Sequence, residues 1–134
     1  MMQQSITSRK VQEIPPLYAY SHLTQFFLTI MNHIGLELSP NNAVLYSNRA
    51  AAYASKGDWE NSLLDANSAV KNKPTWGKAY NRKVLALLNL HRYDEAVATC
   101  EEGLKHEPEN ESLKASLKEG LWKFSDEFRR AEFS

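Results

Sequence analysis

The sequence has one cysteine, Cys100, in 134 residues, so no disulfide can close within the chain; that count suits a reducing compartment. It has no excess of either charge: sixteen basic side chains cancel sixteen acidic ones, which removes the strongly basic field of a nucleic-acid-binding domain. It also lacks a membrane-length apolar run. The most apolar stretch, Leu23 to Leu38, is interrupted by Gln25, Asn32, His33 and Glu37, short of the ~18–20 apolar residues of a span. No charged, apolar, then small-residue signal pattern opens the chain, so cytoplasmic or nuclear residence is expected, cytoplasmic first, with neither nucleic acid nor membrane as partner. Glycine-rich phosphate loops are missing. His22, His33, His91 and His106 have no metal-site spacing, and no nucleophile–base–carboxylate set can be assembled. A non-enzymatic domain without metal or cofactor is expected.

What the chain does have is a period. Pro40, Pro74 and Pro108 recur every 34 residues, and Tyr46 repeats as Tyr80, Trp59 as Tyr93, Asn48 as Arg82, Ala66 as Cys100 and Ala69 as Gly103. A period of this length marks the tetratricopeptide repeat, a helix–turn–helix hairpin that stacks on copies of itself. The expected fold is therefore all-α: a superhelix of hairpins whose first helices make a concave face, closed by a C-terminal capping helix.

In the unit Ala43 to Trp76, Tyr46, Ala50 and Tyr53 have helical spacing and Ala50 is small enough for close helix contact. Gly57-Asp58 makes the turn. A second helix, Trp59 to Asn72, presents Leu63, Ala66, Ala69 and Val70 inward, and Pro74 ends the hairpin. The next unit, Gly77 to Asn110, repeats this with helices Lys78–Asn89 and Tyr93–His106 about a turn at His91-Arg92. There Val84 and Gly103 partly exchange large and small across the packing surface. The boundaries expected are 1–19 irregular, 20–42 a degenerate first-repeat helix, 43–110 two full repeats, and 111–134 a capping helix and tail. In the first of these, Pro15-Pro16 breaks any helix. In the second, Phe26, Phe27, Ile30, Ile34 and Leu38 can lie on one side. In the last, Leu113, Leu117, Leu121 and Phe124 form the shielding stripe, with recruitment of a partner helix as the alternative. So few repeats leave the monomer marginal. The oligomeric state stays open, and an exposed flank beside the degenerate unit offers a dimerisation surface.

The chemistry concentrates on the first helices. Lys78 and Arg82 are four apart and point the same way, and Asn48 occupies in the preceding hairpin the position of Arg82 in its own. An amide, an ammonium and a guanidinium on one face suit a ligand with two nearby carboxylates, such as a peptide's C-terminal aspartate. The alternative is that Lys78 and Arg82 are ordinary solvated helix residues.

The stretches LYSNRAAAYASKGDW, KPTWGKAYNRK and EEGLKHEPEN resemble the first tetratricopeptide domain of the Hsp-organising, Sti-type co-chaperone family, over about Leu38 to Leu121. The resemblance implies an adaptor that grips the C-terminal Glu-Glu-Val-Asp tails of cytosolic heat-shock chaperones through a carboxylate clamp of lysine, asparagine, asparagine, lysine and arginine. Asn48, Lys78 and Arg82 match its last three members. Ala51 and Ala54 would form the apolar groove wall, or serve only helix packing. The first two members have no match, since Glu13 and Leu17 fall at their places, with Arg9 or Lys10 as substitutes. Half a clamp is visible, and the change of character near Leu38 fits a divergent, truncated or rearranged product. The other reading is a scaffold that makes protein–protein contacts without clamp activity.

Weaker signals are Pro15-Pro16-Leu17-Tyr18, which fits a WW-domain motif or a helix-breaking linker, and Asn110-Glu111-Ser112, a sequon only in a secreted chain. Cys100 falls on a packing side and reads as a small buried apolar residue.

Overall fold

The computed structural model describes residues 17–133, which form six helices: α1 Leu17–Leu38, α2 Ala43–Ser55, α3 Trp59–Asn72, α4 Gly77–Asn89, α5 Tyr93–His106 and α6 Glu111–Phe133. No strand occurs among the described residues, and no helix there is long and apolar enough to cross a membrane. The segment before residue 17, with Arg9, Lys10, Glu13 and Pro15-Pro16, lies outside the described residues. α1 starts at Leu17, three residues ahead of the expected boundary.

Local chemistry sets the helix ends. The side chains of Asn42, Asp58 and Asn110 accept from the backbone N–H of Leu45, Asn61 and Leu113 at 3.1, 3.3 and 3.1 Å, satisfying donors that have no partner inside a helix. Between α2 and α3, Gly57 turns the chain at φ 76°, and His91 takes the matching place one repeat later at φ 58°. That left-handed backbone is uncommon for a side chain with a Cβ. Its ring Nδ1 lies 2.6 Å from the Tyr93 hydroxyl, within the same turn. The N–H of Gly77 donates to the Glu107 carboxylate, which caps α4 from the end of α5. A Cβ on Gly77 would meet that carboxylate at 2.5 Å, so a side chain there would push the Glu107 carboxylate out of its capping position.

Each helix packs on the next in sequence, and the first helices α2 and α4 also touch one another. The core lies between α3 and α6: Leu63, Tyr80, Val84, Leu87, Cys100 and Leu113 are buried together. Ala50, Ala66, Ala69, Ala79 and Ala96 have no exposed surface, which lets backbones approach closely. Gly103 explains the exchange of large for small across this surface. A Cβ there would meet Leu113 Cδ1 at 2.8 Å and Tyr80 Cβ at 2.9 Å, so the tyrosine of α4 fills the space alanine would take.

The apolar residues Phe26, Phe27, Ile30, Ile34 and Leu38 of α1 form the exposed flank expected beside the degenerate unit: Phe26, Phe27 and Ile34 are more than half exposed, Leu38 is 83% exposed and Ile30 is exposed as well. The helix instead buries Thr29, Asn32 and Leu36, spaced three and four apart. The α6 stripe, expected to shield the stack along its whole length, does so only as far as Gly120. Leu113 is buried and Gly120 lies against Val97, but Leu121 and Phe124 are nearly half exposed.

Candidate functional site

The contact between α2 and α4 sets the geometry of the candidate site. Lys78, on the first turn of α4, is exposed; Arg82, one turn on, is half-buried. The Arg82 Nε donates to Ser47 Oγ of α2 across 3.5 Å, at the weak limit of a hydrogen bond. That bridge ends on the residue before Asn48, which is exposed on α2. Ala51 and Ala54 are half-buried further along α2, whereas Ala50 and Ala52 are buried in the packing surface. The two pairs of alanines therefore have different surroundings.

Electrostatics separates two arginines. Among the described residues neither Lys78 nor Arg82 has an acidic partner. Burial lowers the pKa of the Arg82 guanidinium, and no carboxylate acts in the opposite sense. Arg49, next to Asn48 in the chain, is the reverse case. Its Nε and Nη2 bind both oxygens of Asp65 at 2.6 and 2.7 Å, and its Nη1 donates to His33 Nδ1 at 2.9 Å. The hydrogen bond to Asp65 raises its pKa. Arg49 is thus a structural cation joining α1, α2 and α3, with its charge already matched. Arg82 is a half-buried cation with no carboxylate partner among the described residues, an arrangement that favours an incoming anion.

Sequence reasoning missed both Ser47 and the Arg49–Asp65–His33 set. Sixteen residues separate Arg49 from each of its partners, so no helical spacing announces the pairings. The available signal was Asp65 itself, a carboxylate beside the inward Leu63 and Ala66 of α3, which demands a buried partner.

No family model matches the chain. Among curated proteins it is 42% identical over 87 residues to the Protein STIP1 homolog of Dictyostelium discoideum, covering 65% of this chain and 15% of that one. It is 46% identical over 82 residues to the Hsp70-Hsp90 organizing protein of Triticum aestivum, covering 61% of this chain and 14% of that one. The chain therefore spans about one-seventh of the length of these relatives. Among solved structures it is similar to the first TPR of Spaghetti (RPAP3), which was determined bound to the HSP90 peptide SRMEEVD. The TM-score is 0.74 and the identity 26%, over 79% of this chain and 84% of that one. The chain has the tetratricopeptide-repeat fold, and its relatives in sequence include Hsp70–Hsp90 organizing proteins of the Sti1 type.

Proposed function

We propose that the face formed by α2 and α4 binds the acidic C-terminal tail of a heat-shock chaperone, as a non-enzymatic adaptor of cytoplasmic type. In this reading Arg82 and Lys78 hold the terminal and aspartate carboxylates, Asn48 donates an amide hydrogen, and Ala51 and Ala54 wall the groove. The observation that carries it is Arg82, half-buried and without a carboxylate partner among the described residues. Matches to organizing proteins, and to a repeat domain determined with a peptide ending in Glu-Glu-Val-Asp, support the same ligand class.

Magnitudes bound the affinity. Charge-assisted hydrogen bonds contribute about 1.5–3 kcal/mol each, so three supply most of the ~8 kcal/mol of a micromolar complex. Half a clamp therefore gives weak, salt-sensitive binding. Calorimetric titration with a Glu-Glu-Val-Asp peptide at low and high salt tests this. Arg82→Ala is expected to lower affinity at least ~10-fold. Arg92→Ala, whose guanidinium is exposed and paired with Glu95, is expected to leave it unchanged. Equal affinity for the Arg82→Ala variant and the parent would sink the proposal.

A further inference from the structure

By the 34-residue period α1 corresponds to α3 and α5, yet it is packed unlike them. α3 lies between α2 and α4, and α5 between α4 and α6, whereas α1 touches only α2 among the described residues. Eight large apolar side chains along α1 are exposed, from Ile30 at 39% to Leu38 at 83%. At ~150–250 Å² for each fully exposed large side chain, these fractions leave on the order of 800 Å² open, against ~300–600 Å² for the largest patch of a typical monomer.

From this we infer that α1 is the seat of a second copy of this chain, paired antiparallel across a twofold axis near Ile30 and Met31. Three observations select that occupant. The open area is of the order of the ~800 Å² that each partner contributes to a standard stable interface. The eight exposed side chains carry no charge, α1 has no lysine or arginine, and Glu37 is its one carboxylate; two copies therefore meet without like-charge repulsion across this face, which offers little for a charged partner to recognise. The pattern is also self-complementary. The axis sets Leu23 against Leu38 of the partner subunit, Phe27 against Ile34 of the partner subunit, and Ile30 against Met31 of the partner subunit. Such an isologous contact closes on itself. Seating the exposed aromatic residues of α6, such as Trp122 and Phe128, on α1 of another copy in a head-to-tail contact builds rings or open polymers instead. Each α1 thereby gains the second helical neighbour that α3 and α5 already have. Peptide binding on α2 and α4 is independent of this pairing.

Light scattering and sedimentation equilibrium on the full 134-residue chain test the inference. Twice the 15.3 kDa monomer mass is expected. Ile30→Glu is expected to raise the dimer dissociation constant at least about 100-fold, because two carboxylates then meet at the axis. Leu64→Glu, an equally severe change at an exposed site on α3, is expected to leave the dimer intact. Cysteine cross-linking gives a readout in near-parent chains, since the native Cys100 is buried. A residue beside the axis lies next to its own copy, so Met31→Cys should form a disulfide-linked dimer, whereas Leu23→Cys, far from the axis, should do so only when mixed with Leu38→Cys. A monomer at every concentration, an open polymer, a dimer indifferent to Ile30→Glu, or efficient self-linking of Leu23→Cys would each overturn the inference.

Discussion

Arg49→Ala should cost the fold more than Asp65→Ala, although both break the same ion pair. The Asp65 side chain is 7% exposed and Arg49 supplies both of its hydrogen bonds; no other donor reaches it among the described residues. Removing Arg49 leaves an uncompensated buried carboxylate, which costs about 3–5 kcal/mol. The arginine is better placed to survive alone. It is 18% exposed, it also donates to His33, and its guanidinium carbon lies 5.8 Å from the centre of the Tyr46 ring. Asp65→Ala should therefore cost about 3 kcal/mol or less. Replacing the pair with Arg49→Met and Asp65→Leu should come within ~2 kcal/mol of the parent, because two apolar side chains need no partner. Urea unfolding followed by far-ultraviolet circular dichroism measures all four chains, with the free energies extrapolated to water. Equal costs for the two single variants, or a double variant that loses the sum of both, would refute the reasoning.

Other sites give simpler expectations. Leu113→Ala removes a fully buried side chain and should cost about 2–5 kcal/mol, whereas Leu121→Ala, nearly half exposed, should cost under about 1 kcal/mol. Paired urea curves would show whether α6 shields the stack mainly through its first half. Gly103→Val forces a branched side chain onto Tyr80 and Leu113, so a loss of about 1–3 kcal/mol is expected. Burial pushes the Cys100 thiol up to about 11, well above the ~8.5 of a free cysteine. Between those values the unfolded chain releases a proton that the folded chain keeps, so stability should fall as pH rises from about 8.5 through about 11. Unfolding midpoints at pH 7 and pH 10, beside those of Cys100→Ala, isolate that contribution. A midpoint difference no larger in the parent than in Cys100→Ala would contradict it.

The 34-residue period made most of the stack legible. It located α3 and α5 to the residue, and it set the His91 turn at the position of Gly57. It succeeds because each full hairpin meets the same neighbours as the one before. The period says nothing where that symmetry fails. On α1 the stripe Phe26, Phe27, Ile30, Ile34 and Leu38 marks a face that needs a partner, but a stripe does not say whether the partner is in the same chain. The α6 stripe carries the same ambiguity, and beyond Gly120 it departs from the expected shield, at Leu121 and Phe124. Of the candidate site, helical spacing showed that Lys78 and Arg82 share a side of α4. The half-burial of Arg82 and its reach to Ser47 depend on the approach of α2, which only the packed structure supplies. Arg49 was illegible for the same reason. It neighbours Asn48 in the chain, yet Asp65 claims its charge from another helix.

The peptide's own end group tests the central claim most directly. Titrating the chain with a Glu-Glu-Val-Asp peptide, first with a free C-terminus and then amidated, removes one carboxylate and changes nothing else. Weak binding to the free acid, lost at least ~10-fold on amidation, is the predicted result. The same affinity for both peptides would contradict a carboxylate site at Arg82, Lys78 and Asn48.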